Sequence, residues 1–205
     1  EPTVKYSPKY TYYRSQLKGL RIFNQYLKQL NRDIQIAKKQ ADFVIVLMHS
    51  GGQYNLIPDK WTCNLQDYLI NKGVDAVVGC HPHVVQRSSI YANNQVTFFS
   101  LGNFCSYPGG ETSGSLGIET LSEYSVILHL HIDPSKKTIG KISFQIAKSV
   151  VEAGKRANIY LVSDLIQREQ DERLKAKLIE DNRMVVNRFT NTNNEYIYPQ
   201  EEYIL

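Results

Sequence analysis

An α/β fold is predicted by three observations. Two short β-branched runs, "DFVIVLMH" and "VDAVVG", flank a helical pattern, each run leads directly into histidine, and two longer strand-like segments follow with turn chemistry between them. Strand, helix and strand within about 40 residues form a βαβ unit, whose strands run parallel and whose crossover is right-handed. In open α/β sheets, ligands collect outside the carboxyl ends of the strands. The histidines therefore fall on the edge where chemistry is expected.

The 205 residues, 42% hydrophobic and 21% charged, suit one globular domain spanning 1–205. Residues 1–13, "EPTVKYSPKYTYY", read as an extended connector, and 188–205 as a polar tail. The net charge of +4 is spread without a dense basic stripe, which excludes a nucleic-acid footprint. Three cysteines without a CxxC pair give neither a disulfide framework nor a thiolate zinc site. No apolar run reaches the roughly 18 residues of a membrane-spanning helix. The chain opens at Glu1 rather than Met, so an upstream part is expected to have been processed, cut away or left out.

From Leu20, the residues Phe23, Leu27, Leu30, Ile34 and Ala37 recur at three- and four-residue steps, predicting an amphipathic helix to about Gln40 with a core-packing face. "DFVIVLMH" is too short and too uniformly apolar for a surface helix and reads as a strand buried on both faces. "PDKWTCNLQDYLINKG" reads as a helix with Asp59 at its N-cap, Trp61, Leu65, Tyr68 and Leu69 on one face, and Gly73 as its stop. "VDAVVG" is a second buried strand. "QVTFFSLGNF" gives a third strand broken at Gly102, and "CSYPGGETSGSLG" a loop. Strands over about 123–133 and 138–148 are joined by "DPSKK" as a hairpin, and a helix follows over about 163–181.

The chemistry concentrates in "GCHPHVVQ", which follows the second strand. A residue before proline favours the extended region, and proline fixes its own φ. His81-Pro82-His83 is thus expected to be stiff and extended, with both imidazoles projecting to one side. Two imidazoles so held suit a divalent transition metal, and His49, ending the neighbouring strand, could add a third nitrogen or serve as a hydrogen-bonded structural residue. Gly51 and Gly52 leave backbone N–H groups open to a ligand, or make a tight turn. The Asn103 amide could orient a ligand or satisfy a turn. Cys80 is expected to point away from its neighbours as a small buried filler. His129 and His131 share one face of a strand, read as a solvated face. No carboxylate stands at a strand end near the histidines, although dinuclear hydrolytic sites bridge their cations with Asp or Glu.

Residues 41–104 resemble the C-terminal half of the CapA family of poly-γ-glutamate capsule synthesis proteins, in the calcineurin-like metallophosphoesterase superfamily. The resemblance rests on a strand ending in His-x-Gly, a Pro-led helix, Gly-x-His-Pro-His-Val-x-Gln and Ser-Leu-Gly-Asn-Phe. It implies a β-sandwich flanked by helices (α/β/β/α), of which this chain is the C-terminal portion. It also implies a hydrolase-type centre with two divalent ions (Mn, Fe, Zn or Mg), for which His49, His81 and His83 are metal-binding and catalytic residues; Gly51 and Asn103 are the substrate-binding candidates of the residue reading above. The superfamily's earlier acidic and Asn-His motifs are expected upstream of Glu1, which makes the chain a fragment or a degenerate member. Partners implied are poly-γ-glutamate or a related polymer and its synthesis machinery, at the cell surface. The alternative is a non-catalytic scaffold in polymer assembly or export. Two departures weaken full activity: "HSGGQY" carries Ser50 and Gln53 where the family reads Trp and Glu, and Cys80 stands where it commonly has His.

Overall fold

The first expected helix is α1, Leu17–Gln40, in the computed structural model, which describes residues 17–105, 121–152 and 156–205. Ile34 is buried on its inner face, with Leu30 and Ala37 packed beside it. The connector expected over 1–13 and nearly all of the Gly/Ser-rich loop lie outside the described residues.

Strand β1, Ile45–His49, helix α2, Lys60–Asn71, and strand β2, Ala76–Cys80, form the βαβ unit. The strands are parallel and paired from Ile45↔Ala76 to His49↔Cys80. Asp59 caps α2 by accepting from the Thr62 N–H at 2.9 Å, and Gly73, at φ +79°, lets the chain leave the helix. The buried stripe of α2 is Thr62, Gln66, Leu69 and Ile70, rather than the expected face carrying Trp61 and Tyr68. Thr62 and Gln66 sit at helical spacing but are invisible to a count of apolar residues.

Strands β3, Ser88–Ile90, and β4, Val96–Phe98, complete a sheet of order β1-β2-β4-β3, with β4 parallel to β2 and antiparallel to β3. The third strand expected from the sequence thus ends early; beyond it, Leu101 and Gly102 make single bridges to Val85 and Ser125. The second sheet holds the expected hairpin, β5, Tyr124–Asp133, and β6, Thr138–Glu152, whose turn is pinned by Asp133 Oδ1 accepting from the N–H groups of Ser135 and Lys136. Strands β7, Arg156–Leu161, and β8, Tyr203–Ile204, both pair with β6.

The helix expected over 163–181 is two helices, α3, Val162–Arg168, and α4, Glu172–Thr190. The break has a local cause: Asp171 accepts from the N–H groups of Arg173 and Leu174 as a new N-cap, and Glu169 accepts from those of Gln170 and Asp171. The stretch 188–205, expected as a polar tail, starts as the last turn of α4 and returns to the core. Tyr203 is buried against Phe144, with ring centroids 5.2 Å apart, and its hydroxyl accepts from Asn182 at 2.7 Å.

Among the described residues the fold is therefore mixed α/β with two four-stranded sheets. One core lies between α1, α2 and one face of the first sheet, through Ile34, Val44, Met48, Leu69, Ile70, Val74 and Val77. The other joins Ala76, Val96 and Phe98 of the first sheet to Tyr124, Val126, Phe144 and Ile146 of the second, and to Phe189 of α4. Contrary to expectation, β1 is buried on one face only. Val44 and Met48 are buried, whereas Ile45 is 43% and Leu47 80% exposed. Among the described residues β1 is the edge strand, and the apolar cluster shared with the second sheet takes in residues of β2 and β4 but none of β1. Among the described residues, no helix is long and apolar enough to cross a membrane.

Candidate functional site: a histidine cluster at the parallel strand ends

The parallel register sets His49 beside Cys80, so the chain leaves β1 and β2 at one place on one edge of the sheet. Past these ends the two loops lock together. The Ser50 N–H donates to the Cys80 carbonyl at 3.0 Å and the Tyr54 N–H to that of Pro82 at 2.7 Å. Gln86, fully buried, donates to the Asn55 carbonyl at 2.7 Å. Gly51 is buried at φ +119°, and a Cβ there would stand 2.9 Å from Pro82 Cγ; its place in the structure is the turn that lets the first loop lie on the proline.

The His-Pro-His unit is not extended. His81 has φ 109° and His83 φ 61°, both in the region that a residue with a Cβ occupies at a cost of about 1–3 kcal/mol. The preference of a residue before proline is overridden by the bonds that tie Cys80 and Pro82 to the first loop. The bend still gathers the rings. His49 Nε2 and His81 Nδ1 are 2.9 Å apart, and the rings of His81 and His83 have centroids 5.9 Å apart. Burial, and then the neighbouring charges of His49 and His83, hold His81 below the ordinary imidazole value of 6.5, which favours the neutral ring with its single nitrogen lone pair.

His83 is the most firmly placed. The Asn103 Nδ2 group donates to the carbonyls of His83, at 3.2 Å, and Ser122, at 3.1 Å. Carbonyls only accept, so the amide orientation is fixed and Oδ1 faces His83 Nδ1 at 2.9 Å. His83 must donate from Nδ1, which leaves the lone pair on Nε2. Tyr54 stacks on the ring at a centroid distance of 5.5 Å. Asn103, expected near a substrate, is thus engaged in orienting a histidine.

Two neighbours were not foreseen. Tyr54 is legible only as the last residue of "HSGGQY", where it agrees with the family pattern, and has no role assigned from it. Cys80, expected as a buried filler, is exposed, with Sγ 3.3 Å from His49 Nδ1. The parallel register could have shown it, because paired residues on adjacent strands project to the same side. A consistent neutral arrangement has the thiol donating to His49 Nδ1 and His49 Nε2–H donating to His81 Nδ1. His129 and His131 lie on the second sheet, bonded to Gln145 and Ser143, and take no part.

The donor set decides how far the site suits a metal. Imidazole nitrogens, a thiol and an amide converge, and among the described residues no carboxylate bonds any of the three rings. Nor do the described residues contain a group of three His, Cys, Asp or Glu arranged about one ion. The cluster fits the nitrogen side of a metal centre and does not fit a complete one.

A family model described as bacterial capsule synthesis protein PGA_cap matches residues 2–108, just over half the chain. The chain is 42% identical over 71 residues to the PGA biosynthesis protein CapA of Bacillus subtilis (strain 168), covering 35% of this chain and 18% of that protein. It is 37% identical over 78 residues to the capsule biosynthesis protein CapA of Bacillus anthracis, covering 38% of this chain and 19% of that one. The matched part spans about a fifth of the length of these curated relatives.

Proposed function

Because the chain belongs to the bacterial capsule synthesis protein family PGA_cap, we propose that it serves capsule biosynthesis through a site built on His49, His81 and His83, acting on poly-γ-glutamate or a related polymer with its synthesis machinery at the cell surface. The observation that carries this reading is the convergence of three imidazoles from two parallel strand ends inside the matched segment. His83 would offer Nε2 to a divalent cation, with His49 and His81 beside it. Such a cation, or a pair, supplies Lewis acidity for hydrolysis at a phosphate ester or amide-like bond. Asn103 fixes the His83 tautomer, Tyr54 covers one face of that ring, and the loop clasp at Pro82 holds the cluster in place.

The remaining acidic ligands would come from outside the described residues. The uncovered face of β1, with Ile45 and Leu47 exposed, is where further strands would complete a metallophosphoesterase-like α/β/β/α sandwich. A second reading, a non-catalytic scaffold, is favoured by the absence of a carboxylate around the rings among the described residues.

Equilibrium dialysis against Mn²⁺ and Zn²⁺ separates the two. The catalytic reading expects retention of metal by the full-length natural protein and loss of it in that protein's His81→Ala and His83→Ala forms. Absence of metal from the full-length protein, or retention unaffected by both substitutions, overturns that reading and leaves the scaffold.

A further inference from the structure

We propose that the free edge of β3 is a docking site for an extended, uncharged segment of a partner protein, which adds to the first sheet as a strand beside β3. β3 ends the order β1-β2-β4-β3, so one of its edges faces no strand among the described residues. The Tyr91 N–H donates to the Gln95 carbonyl at 2.9 Å, and the Phe99 N–H to the Arg87 carbonyl at 3.1 Å. Backbone groups of an antiparallel strand alternate between its two sides. Arg87, Ser89 and Tyr91 therefore turn theirs toward β4, whereas Ser88 and Ile90 turn theirs away. Among the described residues, nothing bonds these outward N–H and C=O groups. Ser88 is nonetheless only 6% exposed, and buried backbone groups are nearly always paired, so this edge lacks a partner that the rest of the sheet has.

The edge opens on a groove. A cavity of about 640 Å³ lies between Ser88 and Ile90 of β3, Val186 of α4, and Ile197, Ile204 and Leu205. A second cavity, of about 260 Å³, shares Ile90, Ile204 and Leu205 and continues past them to Asn94 and to Ile139 of β6. Ile90 and Ile204, 59% and 62% exposed, offer apolar seats to alternate side chains of an added strand. The hydroxyls of the wall are already engaged as donors: Ser88 Oγ to the Phe189 carbonyl, Thr190 Oγ1 to that of Val186, and Thr192 Oγ1 to Asn187 Oδ1, each at 2.8 Å. Bonding capacity toward the groove thus rests on the β3 backbone, which is what strand addition uses. Among the described residues, no Asp, Glu, Lys, Arg or His side chain lines the larger cavity, and the smaller one has Lys141 alone. A polyanion such as poly-γ-glutamate finds no counter-charge in the larger cavity. Its γ-linked units also place three carbons between successive amides, where a strand edge is matched by one. An uncharged α-linked peptide meets both requirements.

The test is hydrogen–deuterium exchange, read by mass spectrometry, on the full-length natural protein with and without an acetylated, amidated hexapeptide alternating threonine and valine. Saturable slowing of exchange is expected in the segments 87–92 and 190–205. Ile90→Pro removes one outward donor and no bond to β4, and should weaken the peptide about ten-fold. Methylating the alternate amide nitrogens of the peptide should weaken it at least as much, with the protein left unaltered. Absence of saturable slowing, or slowing equally strong with the methylated peptide, overturns the proposal. So does protection of 87–92 in the protein without peptide, whether its own further chain or a second copy covers the edge. Slowing by oligo-γ-glutamate but not by the hexapeptide overturns it in favour of the polymer.

Discussion

Replacing Asn103 by alanine removes three hydrogen bonds at once: one accepted from His83 Nδ1–H at 2.9 Å, and two donated to the carbonyls of His83 and Ser122 at 3.2 and 3.1 Å. A protein hydrogen bond contributes about 0.5–1.5 kcal/mol net, and because Asn103 is half-buried, water can replace part of what is lost, so the expected cost is about 2 kcal/mol. Chemical denaturation measures that cost. The distinctive readout is the His83 ring, observed by long-range ¹⁵N–¹H correlation at a pH well above the imidazole range. The wild type should show the Nδ1–H tautomer alone, and Asn103→Ala a mixture of tautomers. Asn103→Asp keeps the acceptor and loses the donor, so it should preserve the tautomer while still losing stability at the two carbonyls. If Asn103→Ala changes stability by less than about 0.5 kcal/mol, the size of an ordinary surface substitution, and leaves the tautomer unmixed, the amide does not orient His83.

Three further substitutions probe the scaffold beneath the site. Gly79→Ala places a Cβ 2.1 Å from the Phe99 carbonyl oxygen, a backbone atom, so β2 and its neighbour must separate; a loss of about 3 kcal/mol or more, or failure to fold, is expected in a denaturation or solubility assay. Tyr124→Phe deletes the hydroxyl that donates to Asp181 at 2.8 Å and accepts from Lys148 at 2.7 Å. Burial first, and then the Asp181 charge, raise the Tyr124 pKa above its ordinary 10.0, so the unfolded chain releases this proton before the folded one. Stability from Tyr124 is therefore full below about pH 10 and falls above it, by at most about 1.4 kcal/mol per pH unit for one proton. The Lys148 pKa, lowered chiefly by burial, acts in the opposite sense only below its ordinary 10.5, so the comparison belongs above that value. There the wild type should lose stability with pH more steeply than Tyr124→Phe, and equal slopes would show that this hydroxyl is not held protonated by the fold. On β1, Leu47→Ser should alter the stability of this chain by less than about 0.5 kcal/mol, whereas Met48→Ala, on the buried face, should cost about 2–4 kcal/mol. A large loss from Leu47→Ser would mean that the outer face of β1 is covered.

The sequence by itself determined whatever depends on local pattern. Helix α1 follows from its apolar spacing, the cap and stop of α2 from Asp59 and Gly73, the hairpin from Asp133 and its turn, and the parallel pair from two apolar runs around a helix. The placing of His49, His81 and His83 at one sheet edge was legible for the same reason, since strand ends are fixed by where the apolar runs stop. Tertiary structure alone decided the rest. The φ of His81 reflects bonds from residues about 30 positions away, which override the preference set by Pro82. Cys80 became a neighbour of His49 through strand register, which a composition-based reading of a lone cysteine does not contain. The split between α3 and α4 came from an acidic cap inside a charged run, and the exposure of Leu47 from the absence of β1 residues in the cluster shared with the second sheet. Periodicity reports which face of an element is apolar; what covers that face, and which side chains meet across it, is set by contacts between segments far apart in the chain.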